Sequence, residues 1–234
     1  MTSSLLERVD WVELAGGLDE RGWYQVPGVL SAAECAELTE LYVDDDRFRA
    51  TIAMERHRFG RGEYRYFKYP LPRVVARLRQ AFYAGLVPVA NRWAERLGLD
   101  VRYPAVLADY LEQCHAAGQT RPTPLLLRYE AGGYNRLHQD LYGSMSFPLQ
   151  VVLPLSAVGR DYEGGELVLG EQQPRMQSRV TVIVPEQGDA IVIPNATRPV
   201  SGNRGDRAVQ TRHGASTITR GRRYALGLIF HDAT

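Results

Sequence analysis

The run LLLRYEAGGYNRLHQD, residues Leu125 to Asp140, decides the fold. An apolar and aromatic stretch, Leu125 to Tyr129, stops at Gly132-Gly133, and a second short run ends on His138 and Asp140. Two short runs parted by glycines read as two strands and the turn between them. In extended backbone the side chains at i and i+2 project to one face, so the imidazole of His138 and the carboxylate of Asp140 can grip a single cation. Two ligands leave such a site incomplete. A divalent iron centre that also binds a bidentate cosubstrate and dioxygen needs two histidines and one carboxylate on one face, with the opposite positions open.

Working downstream, the runs FPLQVVLPL, ELVLG, RVTVIV, DAIVIP and RRYALGLIF alternate with Gly, Pro and Asp. With LLLRY they predict six or more strands, the pattern of a sandwich or barrel. A barrel returns the chain beside its starting strand, so the missing ligand belongs among the later histidines. His213 lies 73 residues after Asp140, across about four of the expected strands, and His231 is its competitor. Arg223 follows His213 by ten residues and opens the last strong strand. Its guanidinium can hold a carboxylate by a bidentate fork that lysine cannot reproduce, which suits a dicarboxylate cosubstrate. Strand alternation turns the neighbouring Arg222 to the opposite face. Gly164-Gly165 read mainly as a hairpin turn, and His115, beside Cys114 on a helix, as a packing or surface residue.

Working upstream, the first half reads as mainly helical. Ser31 and Glu34 form a capping box, followed by Leu38, Leu41 and Tyr42 at helical spacing. Just before them, WYQVPGVL reads as an extended entry segment. From Pro72 to Leu97 the apolar residues keep a helical period, with Pro88 as the expected kink or break. A further helix is expected from Pro104 to Ala117. No linker or repeat divides the 234 residues, so residues 1–122 and 123–234 are read as the two parts of one domain.

Composition excludes several classes. With 44% hydrophobic and 24% charged residues the chain can bury a core, which rules out a disordered or collagen-like protein. A formal charge of +1 argues against a surface that is one uniform nucleic-acid or membrane field. MTSSLLERVDW lacks the basic start and apolar run of a secretory leader, and no stretch is apolar for the length of a membrane span, so a cytoplasmic protein is expected. Cys35 and Cys114, far apart and without CxxC spacing, read as two reduced thiols in packed helices. Charge is nevertheless polarised. Residues 47–79 hold ten Arg or Lys against Glu55 and Glu63, a balance of +8, so the remainder carries −7. Tyr64, Tyr66, Phe67 and Tyr69 interleave with those charges. Basic and aromatic side chains together are what single-stranded or flipped-base recognition uses, although the same pattern suits a solvated basic face whose rings belong to the core, or a lid at FGRGEY.

The residues as a set carry a family resemblance. Tyr129, His138 and Asp140, Gly164-Gly165-Glu166-Leu167, Gly188-Asp189-Ala190, His213, and Arg223 with Ala225 resemble the prolyl-hydroxylase-like superfamily of iron(II)- and 2-oxoglutarate-dependent oxygenases. More narrowly, RPTPLLLRY, LHQDLYG, FPLQV, EQQPRMQSR, RHG and FHDA are similar to the bacterial oxygenase family that acts on damaged, alkylated nucleic acid. The resemblance runs from about Asp45 to the C-terminus. It implies an α+β protein whose C-terminal half is a double-stranded β-helix, or jelly roll, with the N-terminal helices packed on it. It further implies Fe(II) held by His138, Asp140 and His213, and 2-oxoglutarate held through its distal carboxylate by Arg223, with the Tyr129 hydroxyl assisting. Where the narrower family has a pair of histidines before RPV, this chain has Ala196 and Thr197, a departure that favours His213 as the third ligand. The implied activity is a 2-oxoglutarate-dependent dioxygenase that oxidatively demethylates alkylated bases. The alternative is hydroxylation of an amino acid, a small metabolite or a protein side chain, because one fold of this kind hosts many substrates.

Overall fold

The computed structural model describes residues 9–173, 175–202 and 205–234. Most of the MTSSLLERVDW stretch, up to residue 8, and Pro174 of EQQPRMQSR lie outside the described residues. Among the described residues the first half holds four α-helices: α1 (Trp11–Arg21), α2 (Ala32–Glu40), α3 (Arg73–Arg96) and α4 (Leu107–Ala116). Strands β1 (Tyr24–Val26), β2 (Phe48–Ala53), β3 (Gly60–Arg61) and β4 (Glu63–Phe67) are interspersed with them. The second half supplies β5 (Leu125–Glu130), β6 (Tyr134–His138), β7 (Leu149–Pro154), β8 (Tyr162–Gly164) and β9 (Leu167–Gln172). It ends with β10 (Arg179–Ile183), β11 (Ala190–Pro194), β12 (Thr197–Gly202), β13 (Gly205–Ala215) and β14 (Ile218–Leu228).

These strands form two antiparallel sheets. The larger runs β1-β11-β7-β14-β5-β4-β2, with β8 beside β14; the smaller runs β10-β9-β13-β6-β3, with β12 beside β13. Two of the chain's crossings from one sheet to the other frame the site. The first crossing uses Gly132, at φ +81°, and Gly133, whose N–H donates to Glu130 O at 2.7 Å. A Cβ at Gly133 would stand 2.8 Å from that carbonyl, so the turn admits no side chain there. The second crossing joins β13 to β14. Because β5 pairs with β14 and β6 with β13, the two crossings run side by side, with Tyr129 opposite Arg223 in one sheet and His138 opposite His213 in the other.

The core lies between the larger sheet and the helices. On α3, Val75, Leu78, Phe82, Leu86, Ala90 and Trp93 form the buried stripe that covers Leu126, Val151, Leu153, Leu226 and Leu228. The helix does not break at Pro88. One forgone backbone hydrogen bond is a smaller loss than the apolar burial on both sides of it. The capping box at Ser31 and Glu34 forms as expected, and Cys35 and Cys114 are buried free thiols. No described helix is long and apolar enough to cross a membrane.

Residues 48–67 serve the fold more than their composition suggests. The interleaving of Arg65 with Tyr64 and Tyr66 is strand alternation: β4 pairs with β5 and extends the larger sheet. Tyr66 and Phe67 are buried, Arg79 is 1% exposed and paired with Asp232 at 2.8 Å, and Arg65 pairs with Asp45 at 2.7 Å. Much of the basic, aromatic segment therefore builds the fold.

Candidate functional site

Between the two sheets lies a cavity of about 170 Å³. The larger sheet lines it with Leu125, Leu127, Tyr129, Gln150, Val152 and Arg223, the smaller with Asn135, His138, Leu167 and His213. His138 ends β6, Asp140 follows two residues later beyond the strand, and His213 sits on β13 directly opposite His138. One ligand-type atom from each of the three lies within 4.8 Å of the others. Asp140 Oδ2 is 3.2 Å from His213 Nε2, and Oδ1 is 3.6 Å from His138 Nε2. The structure thus brings the three expected residues together. His231 is fully buried elsewhere, its Nδ1 accepting from Phe147 N at 3.2 Å, and it is not part of the cluster.

The surroundings hold these side chains in place. His138 Nδ1 lies 2.7 Å from the Arg136 carbonyl. A carbonyl can only accept, so Nδ1 carries the proton and the Nε2 lone pair faces Asp140. Tyr142 donates to Asp140 Oδ1 at 2.6 Å, and Asn195 Nδ2 donates to the Asp140 backbone carbonyl. Gln150 Nε2 donates to Asn195 Oδ1 at 3.0 Å and stands 3.5 Å from His213 Nδ1, which ties both sides of the cluster to one buried amide pair. Burial by itself would raise the carboxyl of Asp140, but the hydrogen bond and charge of His213, with His138 and Tyr142, hold it well below the usual range. Burial and then His213 push His138 down, keeping it neutral, and burial and then the Asp140 charge push the Tyr142 hydroxyl up. A neutral imidazole beside an ionised carboxylate is the donor set that a divalent cation requires.

Arg223 completes the cavity. It is 3% exposed, and no described carboxylate lies within 4.0 Å of it; its buried Nε has no hydrogen-bond partner. The guanidinium sits 5.6 Å from the Tyr129 ring centroid and 5.9 Å from that of Tyr162. Gly165, at φ +67°, leaves room for it, since a Cβ there would come within 3.1 Å of Arg223 Cδ. Gly165 therefore does more than make a turn. Glu166 feels the charge of Arg223 but lies beyond ion-pair distance; a buried cation without a direct carboxylate partner is costly, and that cost is relieved when a carboxylate enters. Burial pushes the hydroxyl of Tyr129 up to about 12, which keeps it a hydrogen-bond donor. Arg222 faces out and pairs with Glu130, as strand alternation requires.

Sequence reasoning misses Tyr142 and Asn195. Tyr142 follows Asp140 by two residues but lies beyond the strand, where periodicity gives no orientation, and Asn195 acts from β11's end, 55 residues away. His115, read as packing or surface, is partly exposed and bonded to buried Asp232 at 2.9 Å. Asp189 accepts from Gly28 N and Glu186 N and anchors loops away from the cavity.

Comparison with known proteins agrees with this geometry. The model of the family Oxygenase-NA, described as an oxygenase catalysing oxidative methylation of damaged DNA, matches residues 62–233. Two uncharacterised proteins of Mycobacterium tuberculosis, from strains CDC 1551 and H37Rv, are 53% identical over 167 residues, 71% of this chain and 72% of each relative. Among solved structures, a Pseudomonas putida prolyl-4-hydroxylase is 14% identical with a TM-score of 0.53, covering 96% of this chain and 99% of its own. A Trichoplax adhaerens prolyl hydroxylase, solved with a hypoxia inducible factor peptide, is 16% identical with a TM-score of 0.58, covering 98% and 91%. A 2-oxoglutarate-Fe(II) oxygenase family oxidoreductase from Burkholderia pseudomallei is 16% identical with a TM-score of 0.55, covering 97% and 93%.

Proposed function

We propose, from the premise that this chain belongs to the Oxygenase-NA family of iron(II)- and 2-oxoglutarate-dependent oxygenases, that it oxidatively demethylates an alkylated nucleic-acid base. The enzyme class and its cofactors, Fe(II) and 2-oxoglutarate, follow from membership of the family. Substrate and residue roles are our reading, carried by one observation: His138, Asp140, His213 and Arg223, which has no carboxylate within ion-pair distance, line a single cavity. We read the two sheets around that cavity as a double-stranded β-helix, and residues 1–234 as one oxygenase domain.

In this reading His138, Asp140 and His213 hold the iron, and Arg223 takes the distal carboxylate of 2-oxoglutarate with the Tyr129 hydroxyl beside it. When bound, the two cofactors supply an oxidation in which one atom of dioxygen goes to succinate, the other to a substrate C–H bond, and carbon dioxide leaves. The chain itself does the positioning. Tyr142 holds Asp140 Oδ1 and leaves Oδ2 turned toward His213, while Leu125, Leu127, Val152 and Leu167 keep the cavity apolar and exclude water. An oxidant supplies oxygen and no carbon, so its action on a methylated base is removal: hydroxylation at the N-methyl carbon gives an unstable hemiaminal that releases formaldehyde and the free base.

The test is succinate and formaldehyde formation by the iron-loaded protein against methylated single-stranded oligonucleotides, methylated nucleosides, amino acids and peptides. Coupled release of both products with an oligonucleotide is the expected result. Turnover confined to an amino acid, metabolite or peptide replaces the nucleic-acid reading with the hydroxylase alternative.

A further inference from the structure

The tip of the β2–β4 hairpin, residues 54–61, reaches the mouth of the cavity, and the proposed oxidation makes no use of it. Phe59 lines the cavity yet is 47% exposed. Its ring stacks on the exposed His57 with centroids 5.3 Å apart and planes 20° from parallel. Single exposed aromatics are ordinary on protein surfaces, but this one is held in place. Met54, fully buried among Tyr129, Tyr162 and Ile218, roots the turn. Phe59 N donates to Met54 O at 3.1 Å, and Phe59 O accepts from Arg136 N at 2.8 Å. Gly60, which pairs with Asn135, admits no side chain because a Cβ there would collide with the Tyr134 carbonyl. Between the two rings Arg58 adopts φ +60°, a left-handed conformation uncommon for a residue with a side chain. That backbone carries His57 and Phe59 as a rigid pair.

Charge gathers at the same place. Arg56, Arg58 and Arg61 are exposed, and among the described residues none of the three makes a salt bridge. Elsewhere in the basic segment Arg47, Arg65 and Arg79 are each paired with a carboxylate. Along the hairpin these cations thus flank its exposed ring pair, of which Phe59 lines the cavity, while Arg61 lines a neighbouring groove with Glu55, Glu63 and Glu130. A preformed planar surface with guanidiniums on either side matches a nucleobase with its flanking phosphates.

We propose that His57 and Phe59 form a stacking platform for the unpaired base next to the one in the cavity, with Arg58 and Arg61 contacting the adjoining phosphates. This rests on the demethylase reading and assigns it a strand-gripping surface. The experiment uses the full-length protein with Fe(II) and 2-oxoglutarate, without oxygen, and a single-stranded oligonucleotide carrying one N-methylated base beside 2-aminopurine. Stacking quenches the 2-aminopurine; anisotropy against salt counts phosphate contacts. Phe59→Ala is expected to weaken binding about tenfold or more and to relieve the quench while leaving the salt slope unchanged, because stacking releases no counterions. Phe59→Trp, which keeps a planar ring, is expected to retain both. Arg58→Ala with Arg61→Ala is expected to lower the slope by about 1.4, at about 0.7 per contact, with the quench preserved. If wild type binds and demethylates the oligonucleotide and these variants behave like it, the platform is wrong and the demethylase reading stands. If wild type neither binds nor oxidises any oligonucleotide at low salt, both fall together.

Discussion

Replacing Arg223 by methionine separates two consequences of one buried charge. The guanidinium is 3% exposed and has two tyrosine rings as neighbours but no described carboxylate within 4.0 Å. Without cosubstrate it is a desolvated cation that feels Glu166 only beyond ion-pair distance. Its removal is therefore expected to change folding stability by no more than about 1 kcal/mol, because relief of the desolvation offsets the forfeited cation–π attraction. With 2-oxoglutarate the sign changes. Losing one partner of a buried, hydrogen-bonded charge pair costs about 2–5 kcal/mol. At about 1.4 kcal/mol per decade, that is roughly thirtyfold to several-thousandfold in Kd. Thermal unfolding with Mn(II) in place of oxidisable iron reads both. At a cosubstrate concentration about a hundred times Kd, wild type gains about 2.7 kcal/mol. For a chain of this length that is about 5–11 °C in Tm. Arg223→Met is expected to start near the wild-type Tm and to show little of that gain, while Arg222→Ala, at an exposed residue paired with Glu130, keeps it. The reasoning is refuted if Arg223→Met retains the full gain, or if Arg222→Ala loses it equally.

Three further outcomes follow from other residues. His138→Ala, Asp140→Ala and His213→Ala are each expected to abolish tight Mn(II) binding, measured by electron paramagnetic resonance of free Mn(II), while His231→Asn retains it; the reverse pattern would make His231 the third ligand. Burial, then Arg79, lowers the imidazole of His231 from 6.5 to about 4, so the unfolded chain takes up its proton first. Stability from this group is complete above about pH 6.5 and falls as pH drops toward 4, by about 3 kcal/mol in all; His231→Asn should flatten that part of the urea-midpoint profile, and an unchanged profile contradicts the assignment. Arg79→Leu leaves Asp232 buried and without its cation, an expected loss of about 3–5 kcal/mol in urea unfolding; a loss below about 1 kcal/mol would show that Tyr69 and His115, both bonded to Asp232, suffice.

Much of this protein was legible along the chain because its signals are local. Glycine turns, period-two runs and the capping box at Ser31 depend on neighbours a few residues away, and they gave the strands after residue 123, the helices before it and the His138–Asp140 pair. The long matching strings then supplied a family, and with it His213 and Arg223. Other features depend on which strands become neighbours. The alternation in EYRYF is as good a strand signal as that in LLLRY, but its arginines disguised it, and only pairing with β5 shows that Tyr66 and Phe67 are core. Pro88 reads as a kink or break because local propensity cannot weigh the sheet that α3 covers. The choice between His213 and His231 was decided for the cluster by register: β13 pairs with β6 and sets His213 opposite His138, while His231 lies beyond β14 and is buried against Phe147. Tyr142, Asn195 and the unpaired state of Arg223 belong wholly to the tertiary structure, because a hydrogen bond across 55 residues, or the lack of an ion pair, is a property of what packs around a side chain and not of its position in the chain.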